Sequence, residues 1–281
     1  MKTESKFMDT GSIHLHYLDN EGEGPLLLML HGLTANAHAF DGLMHAGLSE
    51  RFRTISVDLR GRGKSDQPAI GYTMKEHAAD IVALLDMLQV KPAVICGHSF
   101  GAFLGLYLAA HFPDYVEKLI LMDAAARMHP NTKEMLGPAL GRLGQQFASF
   151  EAYLEKVKQA PYLTFWDEQM LTYYQADINT YPDGTVIPVS KPEHMMEAVL
   201  KGSLGEPWPE LIRDNRKPSL LINAPGIYIQ DAALLPQELA METVNMMEDC
   251  RYVQVAGNHQ TMLYGEGARQ IVTAITGFLS K

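Results

Sequence analysis

Residues 93–111, AVICGHSFGAFLGLYLAAH, carry almost no polar side chain on any face. The first part, AVICG, is apolar at nearly every position, so both faces of a strand made from it need cover. The second part, FGAFLGLYLAAHF (100–112), is apolar around its whole circumference, as a helix pressed against a sheet is. Only a tight turn separates them. A doubly covered strand running straight into a buried helix fits a layered α/β architecture.

The rest of the chain repeats this pattern. Short, solidly apolar runs occur at PLLLML (25–30), TISVD (54–58), KLILMD (118–123), SLLINA (219–224) and RYVQVAG (251–257). Helical patterns lie between many of them. MKEHAADIVALLDMLQV (74–90) sets Ala78, Ile81, Val82, Leu85 and Leu88 on one face, and EGARQIVTAITGFLS (266–280) reads as a closing amphipathic helix. SIHLHYL (12–18) alternates, which predicts a half-exposed antiparallel entry strand with His14 and His16 outward. The class is α/β with a mainly parallel sheet. Residues 124–215 break the alternation, with helical patterns, many Met, Tyr and Phe, and no clear strand. That length exceeds an ordinary crossover and predicts a helical cap inserted between core segments 1–123 and 216–281.

Composition narrows the partners. Of 281 residues 47% are apolar, enough for one large core with an insertion. The net charge of −10 argues against nucleic acid and anionic membranes. MKTESKFMDTGS lacks the apolar centre of a secretory signal, and no apolar run reaches a membrane span. The two cysteines, Cys96 and Cys250, form neither a disulfide framework nor a zinc pattern. A cytoplasmic setting, no metal and no cofactor are the expectations, with a monomer or homodimer as assembly.

The turn inside the opening stretch is Gly97-His98-Ser99-Phe100-Gly101, a G-x-S-x-G pattern between strand and helix. So tight a turn requires glycine two positions either side of the serine, and it lifts the serine oxygen off the sheet edge. The helix N-terminus behind favours developing negative charge. Ser99 is the candidate nucleophile. In LLLMLHGLTANAHAF (26–40), His31-Gly32 follows an apolar strand directly. DLRGRGKSDQP (58–68) supplies Asp58, Arg60 and Ser65, read as bonding the loop to itself. In VQVAGNHQTML (253–263), His259 follows a strand and a glycine.

This ordered set resembles the α/β-hydrolase superfamily over residues 10–280. The resemblance implies Ser99 as nucleophile, His259 as base, the amides of Leu33 and Phe100 as oxyanion hole, and a bracing role for His31. A triad needs an acid that holds the imidazole's tautomer. The superfamily usually places it just beyond the strand after the cap, but here those positions read APGIYIQ, with Asp231 only later. Asp123, ending LILMD, is the other option, and the missing carboxylate at the usual place favours it. Asp231 then reads as the cap of a helix starting near Ala232. In acid placement the chain is similar to acetamidomethylenesuccinate hydrolase-like members, with which it shares its HGLTAN loop and EAYL stretch (151–154).

The resemblance implies a serine hydrolase without a cofactor, cleaving a small or medium, largely apolar carboxylic ester through an acyl-enzyme. Amide or lactone hydrolysis, or a small-molecule receptor on the same fold, are the alternatives. Cap aromatics Phe147, Trp166 and Tyr173 are candidate substrate contacts. Arg127, Arg142 and Lys156 are candidates for meeting a substrate carboxylate.

Overall fold

In the computed structural model, which describes residues 3–280, the solid apolar runs become the centre of a twisted sheet. The strands are β1 (Glu4–Asp9), β2 (His14–Asp19), β3 (Leu26–Leu30), β4 (Arg53–Val57), β5 (Ala93–His98), β6 (Val116–Met122), β7 (Ile178–Thr180), β8 (Val186–Pro188), β9 (Ser219–Asn223) and β10 (Cys250–Gln254). Among the described residues the main sheet runs β1-β2-β4-β3-β5-β6-β9-β10. The two pairings of β2 are antiparallel and all the others are parallel.

Period-two geometry explains why the central strands are apolar at every position. Leu28, Leu30, Ile95, Leu119 and Leu121 join one apolar cluster, with the helices Met74–Met87 and Phe100–His111. Leu27, Met29, Val94, Cys96, Ile120 and Met122 join another, with the closing helix Gly265–Leu279. Ten of the twelve residues of Phe100–His111 are buried, as its uniform hydrophobicity requires. The helix Met74–Met87 starts on a capping box, in which Thr73 bonds the Glu76 amide and the Glu76 carboxylate bonds the Thr73 amide.

The edges differ from the reading of the sequence. β1 is an additional strand, half-exposed in strict alternation. His14 is exposed, but His16 is buried, with its Nδ1 2.6 Å from Asp58 Oδ2 and its Nε2 2.7 Å from Ser5 Oγ. The added strand covers the face expected to be open. Residues 124–215 hold short helices, including Phe150–Lys158, Met170–Ala176 and Trp208–Asp214, and also the separate antiparallel pair β7 and β8. Three residues per strand are too few to show a two-residue period in the sequence. No helix among the described residues is long and apolar enough to cross a membrane.

Candidate active site

The parallel strands deliver their ends to one rim. Ser99 follows β5, Asp123 follows β6, Asn223 ends β9, and His259 lies in the loop after β10. Main-chain bonds step across the sheet in the same order: Ser99 N donates to Met122 O at 2.9 Å, Asp123 N to Ile222 O at 2.8 Å, and Val255 N to Asn223 O at 2.9 Å. The carboxyl ends of parallel strands are where α/β sheets place their sites.

Ser99 has φ 53° and ψ −116°, the strained left-handed turn the spacing predicts. The glycines are obligatory. A Cβ on Gly97 would lie 2.2 Å from Gly101 O, and one on Gly101 would lie 1.9 Å from Leu30 O. Since backbone cannot yield like a side chain, Gly101→Ala is expected to destabilise by about 3 kcal/mol or more. A denaturant midpoint within error of wild type would contradict this.

His259 Nε2 lies 3.0 Å from Ser99 Oγ, and His259 Nδ1 lies 2.7 Å from Asp123 Oδ2. The other oxygen of Asp123 accepts from Asn223 Nδ2 and from the Ala224 amide, each at 2.9 Å. Asp123 is fully buried, and its own φ is 53°. Two donors fix one oxygen, so the second is left for the imidazole N–H. Nε2 then presents its lone pair to the serine hydroxyl, the arrangement in which a serine can be deprotonated.

The His259 loop is locked by Asn258. Its Oδ1 accepts from the amides of Gln260 and Thr261 and from Thr261 Oγ1, each at 3.0 Å. Its Nδ2 donates to the carbonyls of Tyr162 and Ile227, at 2.9 and 2.8 Å. His98 bears on the same loop, with its ring centroid 4.7 Å from that of His259 and its Nε2 2.9 Å from the His259 carbonyl. Burial drives the His98 pKa well below the usual range, so it is a neutral imidazole donating Nε2–H. The ring of Tyr228 meets His259 edge-on at 5.8 Å.

The Leu33 and Phe100 amides have no acceptor among the described residues. His31 orients the first. Its Nδ1–H donates to Gly32 O at 2.7 Å, and Ala35 N donates to the same oxygen at 3.1 Å, fixing the peptide whose other end is the Leu33 N–H. His31 Nε2 accepts the Leu59 amide at 3.1 Å. Burial lowers the His31 pKa from 6.5 to about 4, and burial holds His77 and His98 neutral in the same way. Below about pH 6.5 the unfolded chain therefore binds protons that the folded chain refuses. This part of the stability is complete above that pH and is lost as the pH falls toward 4, on the order of 3 kcal/mol for His31 alone. Urea midpoints measured at about pH 7, 5.5 and 4.5 should fall steadily. A flat series would contradict the buried neutral histidines.

Other expected residues stand outside this relay. Asp231 is exposed, with Gln230 at the tip of a two-residue turn, both at positive φ (53° and 56°), closed by Ala232 N donating to Ile229 O. The following helix begins at Gln237 behind Pro236, so Asp231 does not cap it. Asp58 accepts the Lys64 amide and its carbonyl accepts Ser65 Oγ, as read, but Arg60 leaves the loop to pair with Asp80. Arg142 is buried against Asp177 and Arg127 pairs with Glu242, so neither stands as an open anion site, and Lys156 is exposed on the helix Phe150–Lys158. Tyr173 is buried, and Phe147 and Trp166 half-buried, in an aromatic cluster with Tyr153 and Tyr174. No sequence pattern points to His98 or Asn258, and for Asn223 the one signal is a polar residue closing the apolar run LLI. Among the described residues no group of three or more His, Cys, Asp or Glu side chains is placed to hold a metal ion.

Comparisons with known proteins agree with the fold. Residues 25–182 match the family described as alpha/beta hydrolase fold. The chain is 37% identical over 153 residues to 2-(acetamidomethylene)succinate hydrolase of Mesorhizobium japonicum, covering 53% of this chain and 54% of the relative. It thus spans about half the length of that curated relative. A crystal structure of E-2-(acetamidomethylene)succinate hydrolase superposes with a TM-score of 0.86 at 28% identity, over 100% of both chains. The enol-lactonase from Burkholderia xenovorans LB400 shares the fold, with a TM-score of 0.72 at 19% identity over 98% of this chain and 100% of the other. On the family match, the strand order and the strand–serine–helix turn, this chain belongs to the α/β-hydrolase superfamily.

Proposed function

We propose that the protein is a serine hydrolase acting through an acyl-enzyme. The observation that carries this reading is the continuous relay from Asp123 Oδ2 to His259 Nδ1 and from His259 Nε2 to Ser99 Oγ. In the proposed reaction His259 takes the Ser99 proton as Oγ attacks a carbonyl carbon. The Leu33 and Phe100 amides stabilise the oxyanion, and His259 protonates the leaving group. A water deprotonated by His259 then releases the acid and restores Ser99. No step calls on a cofactor. Residues 124–215 are read as a cap over this rim, with Phe147 and Trp166 contributing apolar surface to the substrate's surroundings and the buried Tyr173 packed behind them.

The substrate proposed is a small or medium, largely apolar carboxylic ester. A second reading, amide hydrolysis, is supported by the full-length likeness to a hydrolase whose name contains an acetamido group. The two readings are tested together on a panel of p-nitrophenyl esters, lactones and N-acyl amides, with a serine-reactive phosphonate as probe. Labelling located on Ser99 and turnover of at least one class are expected. Labelling elsewhere, or a protein that turns over every class equally well after Ser99→Ala, would overturn the reading.

A further inference from the structure

Three arginines are buried among the described residues. Arg60 pairs with Asp80, and Arg142 pairs with Asp177. Arg62 is fully buried and has no carboxylate partner among the described residues. Its Nε–H donates to the Leu33 carbonyl at 2.9 Å. Its Nη1 donates to the Arg60 carbonyl at 2.6 Å and to His77 Nε2 at 2.8 Å. His77 gives its Nδ1 hydrogen to the Thr73 carbonyl at 2.7 Å, so Nε2 is the accepting nitrogen. Arg62 Nη2 is buried with no partner. The guanidinium carbon lies 5.2 Å from the Phe100 ring and 5.9 Å from the Tyr72 ring. Burial lowers its pKa to about 9, which leaves it a cation at neutral pH.

Burying a charge without a counter-charge is costly, and evolution's usual remedy, an acid beside it, is present for the other two arginines but not here. The position of the exception is informative. Arg62 touches the residues that carry both oxyanion amides, Leu33 and Phe100. The peptide before Leu33 is held by His31 and Ala35 at the Gly32 carbonyl, and the peptide after Leu33 is held by Arg62 at the Leu33 carbonyl.

We propose that Arg62 is a positioning residue for the oxyanion site. It fixes the Leu33 amide from behind, and its unmatched positive charge strengthens the site's preference for an anion. The inference rests on the acyl-transfer reading of Ser99. An unmatched charge in a water-poor surrounding acts over a longer range than one in solvent, and its attraction grows as the carbonyl oxygen becomes an oxyanion. It should therefore act on kcat more than on KM.

The test compares wild type with Arg62→Met and Arg62→Lys, using a p-nitrophenyl ester and an alkylboronic acid, which forms an anionic tetrahedral adduct on a serine oxygen. Thermal melts give the folded fraction of each variant. For folded Arg62→Met, kcat is expected to fall about 10²-fold with KM changed less than about threefold, and boronic acid affinity to fall by a similar factor as kcat. Arg62→Lys should recover at least about tenfold of both losses, because it restores charge without the fork to Leu33. Folded Arg62→Met with kcat and boronic acid affinity near wild type would overturn the inference, as would a raised KM at unchanged kcat. Arg62→Lys no better than Arg62→Met would overturn the role of charge. If Arg62→Met does not fold, folded Arg62→Lys decides: kcat and boronic acid affinity lowered together by about three- to tenfold at nearly unchanged KM supports the inference, and wild-type kcat and affinity, or a loss confined to KM, overturns it. Wild type that neither turns over ester nor takes the phosphonate on Ser99 overturns the acyl-transfer reading itself, and this inference with it.

Discussion

Asp123→Asn is expected to lower kcat about 10⁴-fold while leaving the protein folded. The amide has the shape of the carboxylate, and its oxygen can keep the two bonds from Asn223 and Ala224 that now fix one side. Its NH₂ group then faces His259 Nδ1, where the carboxylate presents an acceptor. The imidazole must accept at Nδ1 and carry its proton on Nε2, where it can no longer take a proton from Ser99. The measurement is kcat on the best panel ester, with a thermal melt beside it. Asp231→Asn provides the contrast. That side chain is exposed at a turn with φ 56°, a conformation Asn tolerates as well as Asp. Activity and stability should stay within experimental error. The reverse pattern, with Asp231→Asn inactive and Asp123→Asn active, would remove Asp123 from the proposed relay.

Ser99→Ala is expected to be the larger loss, about 10⁶-fold in kcat, since it removes the atom proposed to form the acyl-enzyme. What remains is the slow reaction that the oxyanion amides and binding alone support. The substitution should also relieve backbone strain less than a glycine would, because alanine at φ 53° keeps the same Cβ. Stability should therefore change little. Intact-mass spectrometry after phosphonate exposure checks the effect without needing the natural substrate: wild type gains one adduct and Ser99→Ala gains none. An adduct that persists in Ser99→Ala would place the nucleophile elsewhere.

Much of the fold could be read in advance because its signals are local. Solid apolar runs stand where both sheet faces are covered, and residues 100–112 read as a buried helix because they are one. The edge strands were harder. Among the described residues β1 pairs only with β2, and its six residues, ESKFMD, carry charges on both faces, Glu4 and Lys6 on one and Asp9 on the other, so no apolar alternation shows. His16 read as exposed because nothing near it in sequence reveals that β1 and the Asp58 loop cover it. Residues 178–188 hid a hairpin of two three-residue strands within a region whose other signals are helical.

The same division runs through the candidate site. The sequence by itself determined Ser99 as a candidate and the two glycines of its turn, because steric exclusion within a strand–turn–helix segment leaves few choices, and its resemblance to the superfamily implied His259 and the Leu33 and Phe100 amides. Only the tertiary structure decided which carboxylate stands beside His259. Asp123 and Asp231 are both plausible in sequence, but β6 lies between β5 and β9 in the sheet, and that order carries Asp123 to the imidazole 136 positions away. A two-residue turn leaves Asp231 in solvent. Tertiary structure also decided that Arg60 and Arg142 are neutralised by Asp80 and Asp177 while Arg62 is not. Charge compensation is a property of neighbours in space, and no pattern along the chain records it.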